Sequence, residues 1–392
     1  MRKLLPARLL PSLALLFALA QAAAAQAPVD TRGALASLPD SQGVLFINVR
    51  RIVNEMLPQV MPPAEYQKML TEAQKVGFDA RGIDYVAVGA RLADPAPANY
   101  LPEFVVVIRG NFNADTLLAL GRVAAGAQNI SPRSETYGSK TIEIIDLESL
   151  NKKPAGTGGG TGSGTGGGTG SGTGGGTGEG EGTPPKPMPY PEIAVMALDA
   201  NTLVAGVPSY VRAVVDAAGG RGALKSSTID LATRDPRALW SLTVEPPPAL
   251  VEALRKAGAP SNREAEEMIG WVKQVSLAQG MDALNYSMSM SVLADTPEHA
   301  SAFSGLVRMG LLAAQTGLSS EAAKQTPKHK DYAKTRSALD ALKGFVNRTE
   351  GNTLHLGVSV PQAVVADLVK KEMARKPAAT ARPRAGRRPR RR

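Results

Sequence analysis

The feature that most constrains the fold of this chain is an internal repeat. Residues 201–207 read N-T-L-V-A-G-V and residues 352–358 read N-T-L-H-L-G-V, so both follow the pattern N-T-L-x-x-G-V. Each segment has the composition of a short strand and leads into a helix that begins with a proline, Pro208 or Pro361, where the missing N–H costs nothing. Because self-similarity over a long interval is typical of a repeated structural unit, we expect two tandem copies of one fold.

Other segments match in the same order, although more loosely. The predicted strands correspond as 44–49 with 239–244, 85–88 with 272–277, and 104–108 with 286–292. A helix is expected after the third strand of each copy, over 114–124 behind the cap Asn113 and over 297–314 behind the cap Thr296.

Each copy therefore reads β-α-β-β-α-β-β-α, the first within residues 26–220 and the second within 237–371. Strands and helices mixed in this way predict an α+β fold with largely antiparallel sheets covered by helices on one face. Two separate domains and one fused body both satisfy this pattern.

A low-complexity tract interrupts the first copy. Residues 152–188 are dominated by Gly, Thr, Ser and Pro, and this composition predicts a flexible coil. Strand-like segments flank the tract at 141–147 and 193–198. The sequence offset between corresponding segments of the two copies is larger before the tract than after it, and the difference is about the length of the tract. We therefore expect the tract to be a disordered insertion in a hairpin of the first copy. Its matches to G-x-G-x-x-G are compositional, because no strand precedes the glycines and no helix follows them.

The first residues resemble an export signal. A basic start runs into an apolar stretch at 9–20 and then into small residues, which predicts a signal peptide over 1–25 with cleavage after Ala25. The expected location is therefore the periplasm or the exterior of the cell. The chain has no cysteine, which excludes thiol nucleophiles and cysteine zinc sites. No later apolar run approaches the roughly 18 residues of a membrane-spanning helix.

The net charge of +10 is concentrated at one end. Residues 370–392 are rich in Lys and Arg, whereas the body before them is mildly acidic. The segment 372–392 lacks apolar side chains that could pack, so we expect a disordered basic tail. Its candidate polyanion-binding residues are Arg382, Arg384, Arg387, Arg388, Arg390, Arg391 and Arg392. The expected partners are anionic envelope polymers, lipid head groups or an acidic protein, and nucleic acid is disfavoured by the compartment.

Three segments carry a family resemblance. Residues 38–51 (LPDSQGVLFINVRR), 107–112 (VIRGNF) and 198–203 (LDANTL) resemble a group of uncharacterised bacterial exported proteins with a domain of unknown function. The resemblance spans most of 38–371 and implies an exported, repeated α+β protein. It implies no activity and no site residue.

The histidines are weak candidates for chemistry. His299, His329 and His355 have no evident partner in local sequence, so we interpret them as surface or packing residues rather than catalytic groups or metal ligands.

Other candidates have an equally plain structural explanation. We expect a solvated helix face at Glu264, Glu266 and Glu267, strand-end capping or binding at Arg50, Arg51 and Arg109, a turn at Ser139 and Lys140, and core anchors at Trp240 and Trp271.

Three classes of function stay open. The favoured one is a non-enzymatic envelope protein with a binding or structural role, which needs no cofactor and no metal. A hydrolase whose site is assembled from distant residues is the first alternative. Polyanion or nucleic-acid binding through the tail is the second. A concave pocket where two or more titratable residues converge would favour the enzyme.

Overall fold

The computed structural model describes residues 29–75, 79–92, 102–127, 130–147, 190–246, 263–326 and 332–366. The strands are β1 Gly43–Ile47, β2 Ile83–Arg91, β3 Glu103–Gly110, β4 Arg133–Tyr137, β5 Lys140–Asp146, β6 Glu192–Asp199, β7 Thr202–Gly206, β8 Ala238–Val244, β9 Val272–Met281, β10 Asn285–Ala294, β11 Val346–Glu350 and β12 Thr353–Pro361. The α-helices are α1 Thr31–Ala36, α2 Val49–Arg51, α3 Leu57–Val60, α4 Pro63–Lys75, α5 Ala114–Ala127, α6 Pro208–Ala218, α7 Ser226–Ala232, α8 Arg263–Trp271, α9 Pro297–Lys324 and α10 Tyr332–Lys343. A π-helical turn, Ile52–Met56, joins α2 to α3, and a 3₁₀ turn, Ala80–Gly82, precedes β2.

All twelve strands form one antiparallel sheet in the order β11-β12-β10-β9-β8-β1-β2-β3-β7-β6-β5-β4. The first strand of each half, β1 or β8, lies at the centre, and these two strands pair with each other. Because this pairing makes the sheet continuous, the halves share one body rather than forming two separate sheets. The fold is therefore α+β with a large antiparallel sheet.

The predicted strands and helices around the repeat are present. The two N-T-L segments form β7 and β12, and Pro208 begins α6. The prediction for Pro361 is wrong, because this residue pairs with Asn285 as the last residue of β12 and the helical residues begin at Gln362. Asn113 and Thr296 cap their helices as expected, because their side-chain oxygens accept from the backbone N–H of Thr116 and His299. The helix after Thr296 is longer than predicted and extends to Lys324.

Helices cover both faces of the sheet, so the expectation of a single covered face is wrong. Helix α6 packs its buried Val211 and Val214 on the face that contains Val204. Helix α5 lies on the opposite face, where Arg122 pairs with Glu143. Both faces carry helices because most strands have apolar side chains on each side, which a single helical layer cannot bury.

Several sequence predictions fall outside the described residues. They are the signal peptide 1–25, the Gly/Thr tract 152–188, the tail 372–392 and His329. The strands that flank the tract, β5 and β6, pair directly with each other. In the part of the chain that the structure describes, no helix has the length and apolarity needed to cross a membrane.

Candidate functional site

One face of the sheet changes character between the two halves. In the first half a cross-strand row runs Phe46, Ala87, Val107, Val204 and Met196, and all five side chains are buried. The same row continues into the second half as Ser241, Ala278, Ser289 and Gly357. A neighbouring row reads Thr243, Ser276, Ser291, His355 and Arg348. An apolar surface therefore becomes a hydroxyl-bearing one within a single sheet.

Coverage of this face changes at the same place. Helices α1, α6 and α7 bury the apolar half under side chains such as Leu35, Tyr210 and Ile229. Over the polar half, α7 reaches β8 and β9, where Gln274 donates to Thr228 Oγ1 at 2.8 Å and Ser276 donates to the carbonyl of Leu231 at 3.4 Å. Beyond α7, toward β11, the described residues leave a groove over the polar half.

The groove has a volume of about 430 Å³, which is within the range of small-molecule sites. We call it the serine groove, because Ser276, Ser287, Ser289, Ser291 and Ser359 line it. Side chains approach the backbone closely at one glycine of this region. A Cβ atom added at Gly280, beside the groove, would lie 2.7 Å from both Ser287 Oγ and Asp235 Oδ2. Phe, Tyr and Trp are absent from the described lining, so a base or sugar ring has none of these side chains to stack on here.

His355 lies in the floor of the serine groove. It is 6% exposed, and its Nδ1 is 2.9 Å from Ser291 Oγ. Its Nε2 is buried without a hydrogen-bond partner and lies 3.7 Å from Glu350 Oε2. Burial, followed by the charges of Arg234 and Arg348, lowers the pKa of His355 to about 4, so the ring is neutral at physiological pH.

Charged side chains form the rim of the groove. Arg234, Arg237 and Arg348 contribute three positive charges and Asp235 one negative charge. Arg234 reaches across from the end of α7 to the tip of the β11–β12 hairpin, where it pairs with Glu350. Arg237 pairs with Asp282 at 3.4 Å. With Glu350 and Asp282 counted, three carboxylates balance the three guanidinium groups, and among the described residues Arg348 has no ion-pair partner.

Two further polar atoms lie unsatisfied beside the groove. Ser241 Oγ is buried without a partner in a side chain that is 1% exposed, and Gln274 Oε1 is buried in the same way. An unpaired buried polar group costs free energy, and native proteins contain few of them. Thr202 Oγ1, on the same face of β7 as Val204, is also buried without a partner, so such atoms occur in both halves of this face.

The arginine candidates at strand ends have structural partners. Arg50 pairs with Asp84, and Arg51 donates to the carbonyls of Arg237 and Met281. Arg109 interacts with the Tyr85 hydroxyl, where burial raises the pKa of that phenol. Lys140 donates to the carbonyl of Leu198 at 2.6 Å.

The expectation that no histidine has a local partner is wrong for His299. Its Nδ1 lies 2.6 Å from Asp295 Oδ1, four residues earlier, and its ring stacks on Trp271 with centroids 3.9 Å apart. The carboxylate of Asp295 has a lowered pKa, first because of this hydrogen bond. Trp240 donates to Gln279 Oε1 at 2.8 Å and packs against Leu239.

The remaining candidates stay apart from the serine groove or undescribed. Glu267 is exposed on α8, and the side chains of Glu264 and Glu266 are outside the described residues, as are the seven tail arginines. In the described part of the chain, no group of three His, Asp or Glu side chains could hold a metal ion.

Sequence reasoning missed the serines of the groove. The available signal was the alternation at Ser287, Ser289 and Ser291, which places three hydroxyls on one face of a strand.

Comparisons with known proteins add no functional assignment. No protein-family profile and no curated protein matches the chain. Among solved structures, crystal forms III and IV of TP0453 are similar at 8% and 9% sequence identity, with TM-scores of 0.38 and 0.37. These similarities cover 86% of this chain and 97% and 95% of the two TP0453 chains. At such TM-scores the similarity carries no argument about fold or function.

Proposed function

We propose that this chain is an exported, non-enzymatic protein of the bacterial cell envelope that binds a polar, negatively charged ligand in the serine groove. The observation that carries the proposal is the contrast along one sheet face, which is apolar and covered in the first half but polar and open in the second. The buried, unpartnered Nε2 of His355, a residue that lines the groove, favours a ligand that supplies a hydrogen-bond partner. The guanidinium group of Arg348, which lines the groove without an ion-pair partner among the described residues, favours an anion.

The two halves are, in this proposal, diverged copies of one unit. The fourth residue of each N-T-L segment is Val204 or His355, and their cross-strand partners are Val107 and Ser291. Strand order outward from the centre also corresponds, as β1-β2-β3-β7-β6 and β8-β9-β10-β12-β11, and among the described residues the hairpin β4–β5 has no counterpart in the second half. If the copies share an origin, apolar positions of one copy became hydroxyl and imidazole positions in the other.

Export and tail docking complete the proposal. The sequence of residues 1–25 supports passage to the periplasm or the exterior, and mass spectrometry of the mature protein tests it. A soluble cytoplasmic form that retains Arg2 would contradict export. The arginines of 382–392 support docking on anionic polymers, lipid head groups or an acidic partner. Binding of nucleic acid through the same residues is the alternative that this compartment disfavours.

Ligand binding in the groove is tested by NMR titration of the full-length protein. The probes are gluconate and sn-glycerol 3-phosphate, with uncharged glycerol as the control ligand. At least one anionic probe should shift the signals of Ser289 and His355, and glycerol should not. Ser289→Leu fills the groove and should remove the response, whereas Ser139→Leu, in the exposed β4–β5 turn, should preserve it. Absence of groove shifts with both anions, or equal shifts in Ser289→Leu, would contradict the proposal.

A second candidate function rests on the alignment of Ser291, His355 and Glu350. Serine, imidazole and carboxylate in series is the arrangement of a serine hydrolase. Two observations count against it: Ser291 is 8% exposed, and a histidine with a pKa of about 4 is a weak base at neutral pH. A fluorophosphonate probe tests it, since covalent labelling of Ser291 that is lost in His355→Asn would favour the hydrolase.

A further inference from the structure

One end of the serine groove combines three groups that suit a particular anion. Arg234 and Arg348 line the groove, and both charges act on His355. Arg234 pairs with Glu350, whereas no acidic side chain of the described residues lies within ion-pair distance of Arg348. This end of the groove therefore has two guanidinium groups and one carboxylate, which pairs with Arg234, so the charge of Arg348 is uncompensated.

The carboxylate of Glu350 is readily displaced. The Glu350 side chain is 66% exposed and that of Arg234 is 36% exposed. An ion pair so accessible to water contributes little to stability, and its carboxylate can exchange for a ligand anion at small cost. Arg234 would keep a charged partner throughout the exchange, because the ligand replaces Glu350.

His355 supplies a directed donor at the same end. When the Ser291 hydroxyl donates to Nδ1, 2.9 Å away, the ring proton of neutral His355 resides on Nε2. That atom is buried, lacks a partner and points toward the Glu350 carboxylate at 3.7 Å. An anion that replaces the carboxylate would accept this hydrogen bond.

We propose that the serine groove binds a phosphate monoester of a hydroxylated small molecule, with the phosphate between Arg234 and Arg348 above His355 and with Glu350 displaced. This inference rests on the proposed binding function and specifies its ligand class. A phosphate monoester carries close to two negative charges at neutral pH, which matches the two guanidinium groups once Glu350 has left. A guanidinium group can donate two parallel hydrogen bonds to phosphate oxygens. The hydroxyls of Ser287 and Ser289 can form hydrogen bonds with a polyol.

The experiment is calorimetric titration of the full-length protein at fixed ionic strength. The probes are inorganic phosphate, sn-glycerol 3-phosphate, gluconate and vesicles that contain phosphatidic acid. We expect glycerol 3-phosphate to bind at least about tenfold more tightly than gluconate, because only the phosphate can engage both arginines as a dianion. Inorganic phosphate that binds equally well identifies free phosphate as the ligand, and preference for vesicles identifies a lipid head group. Each of these results retains the phosphate subsite.

Variants separate this inference from the proposed function. Arg348→Gln should weaken binding of glycerol 3-phosphate about tenfold, and Glu350→Gln should strengthen it about threefold by removing the competing carboxylate. Arg133→Gln, on the opposite edge strand β4, is the matched control and should change nothing. Equal binding of gluconate and glycerol 3-phosphate, or unchanged affinity in Arg348→Gln or Glu350→Gln, overturns the phosphate subsite while leaving a general anion groove. Absence of binding by every probe overturns both.

Discussion

The pH dependence of stability tests the environment of His355. Burial and two arginines lower the pKa of His355 from the ordinary 6.5 to about 4, although Glu350 opposes the shift. Between these values the unfolded chain binds a proton at His355 that the folded protein does not bind, so the free energy of unfolding falls as the pH falls. Each pH unit in the window costs about 1.4 kcal/mol. Between pH 7.5 and 4.5 the loss from this residue is therefore roughly 2.5 kcal/mol.

Urea unfolding of the wild type and of His355→Asn measures this loss. The asparagine amide takes the place of Nδ1 and can keep the contact with Ser291, but it does not titrate. Acidic side chains titrate in both proteins, so the difference between the two pH profiles isolates His355. The wild type should lose roughly 2.5 kcal/mol more than the variant between pH 7.5 and 4.5. Parallel profiles, or an NMR titration of the His355 ring near pH 6.5, would refute the reasoning.

The remaining predictions concern the sheet face, the tract and the tail. Phe46→Ala should lower the free energy of unfolding by about 3–5 kcal/mol, because it leaves a cavity in the core. Ser241→Ala, across from it on the neighbouring strand, removes an unpartnered hydroxyl and should cost less than about 1 kcal/mol. Chemical denaturation measures the free energy of unfolding of both variants. Equal losses in Phe46→Ala and Ser241→Ala would contradict the contrast between the apolar and the polar half of this face. Replacing 156–183 by a short Gly/Ser turn should leave the melting temperature unchanged or slightly higher, since β5 and β6 already pair and a shorter loop closes at lower entropic cost. A fall of several degrees would show a structural role for the tract. Deleting 372–392 should abolish salt-sensitive binding to anionic vesicles, lipopolysaccharide and DNA, because dispersed arginines bind by charge. Equal, salt-insensitive binding by both forms would place recognition in the folded body.

Much of the secondary structure is predictable from sequence, because local signals coincide there. The segments that became β7 and β12 are rich in β-favouring side chains, and Pro208 marks the start of the helix after β7. The caps Asn113 and Thr296 mark helix starts by a mechanism that acts within three residues. The starts of these two helices were therefore predicted correctly, although the end of the helix after Thr296 was not.

The sequence analysis assigned no residues to the edge strands, for a physical reason. Strand β4 reads R-S-E-T-Y and β11 reads V-N-R-T-E, and neither has the apolar alternation of a half-buried strand. Charged edges discourage pairing with other chains, so the composition that hides these strands from prediction suits their position. Pairing of β1 with β8 was also left open, because contacts between residues far apart in sequence leave no local trace.

The serine groove could be foreseen only in part, because its members lie on four strands. The alternating serines of β10 indicate a polar face in the sequence. Their contact with His355, however, depends on the register between β10 and β12. Arg234 belongs to the segment after α7 and reaches Glu350 only through the folded sheet. Local sequence therefore identifies single polar residues, whereas the site follows from the topology.

The polar side chains of the second half of this face lower the stability of the fold, and this cost bears on the function of the face. Burying a side chain such as Val107 or Val204 stabilises a fold by roughly 1.5–3 kcal/mol, and Ser291 and His355 forgo that gain at the corresponding places. His355 and Ser241 add buried atoms without partners. The apolar half, with its three covering helices, has a hydrophobic core that stabilises the sheet to which the second half also belongs. Departures from good packing concentrate at functional sites, where a ligand recovers the lost interactions. We therefore place recognition by the folded body in the serine groove rather than on the well-packed first half.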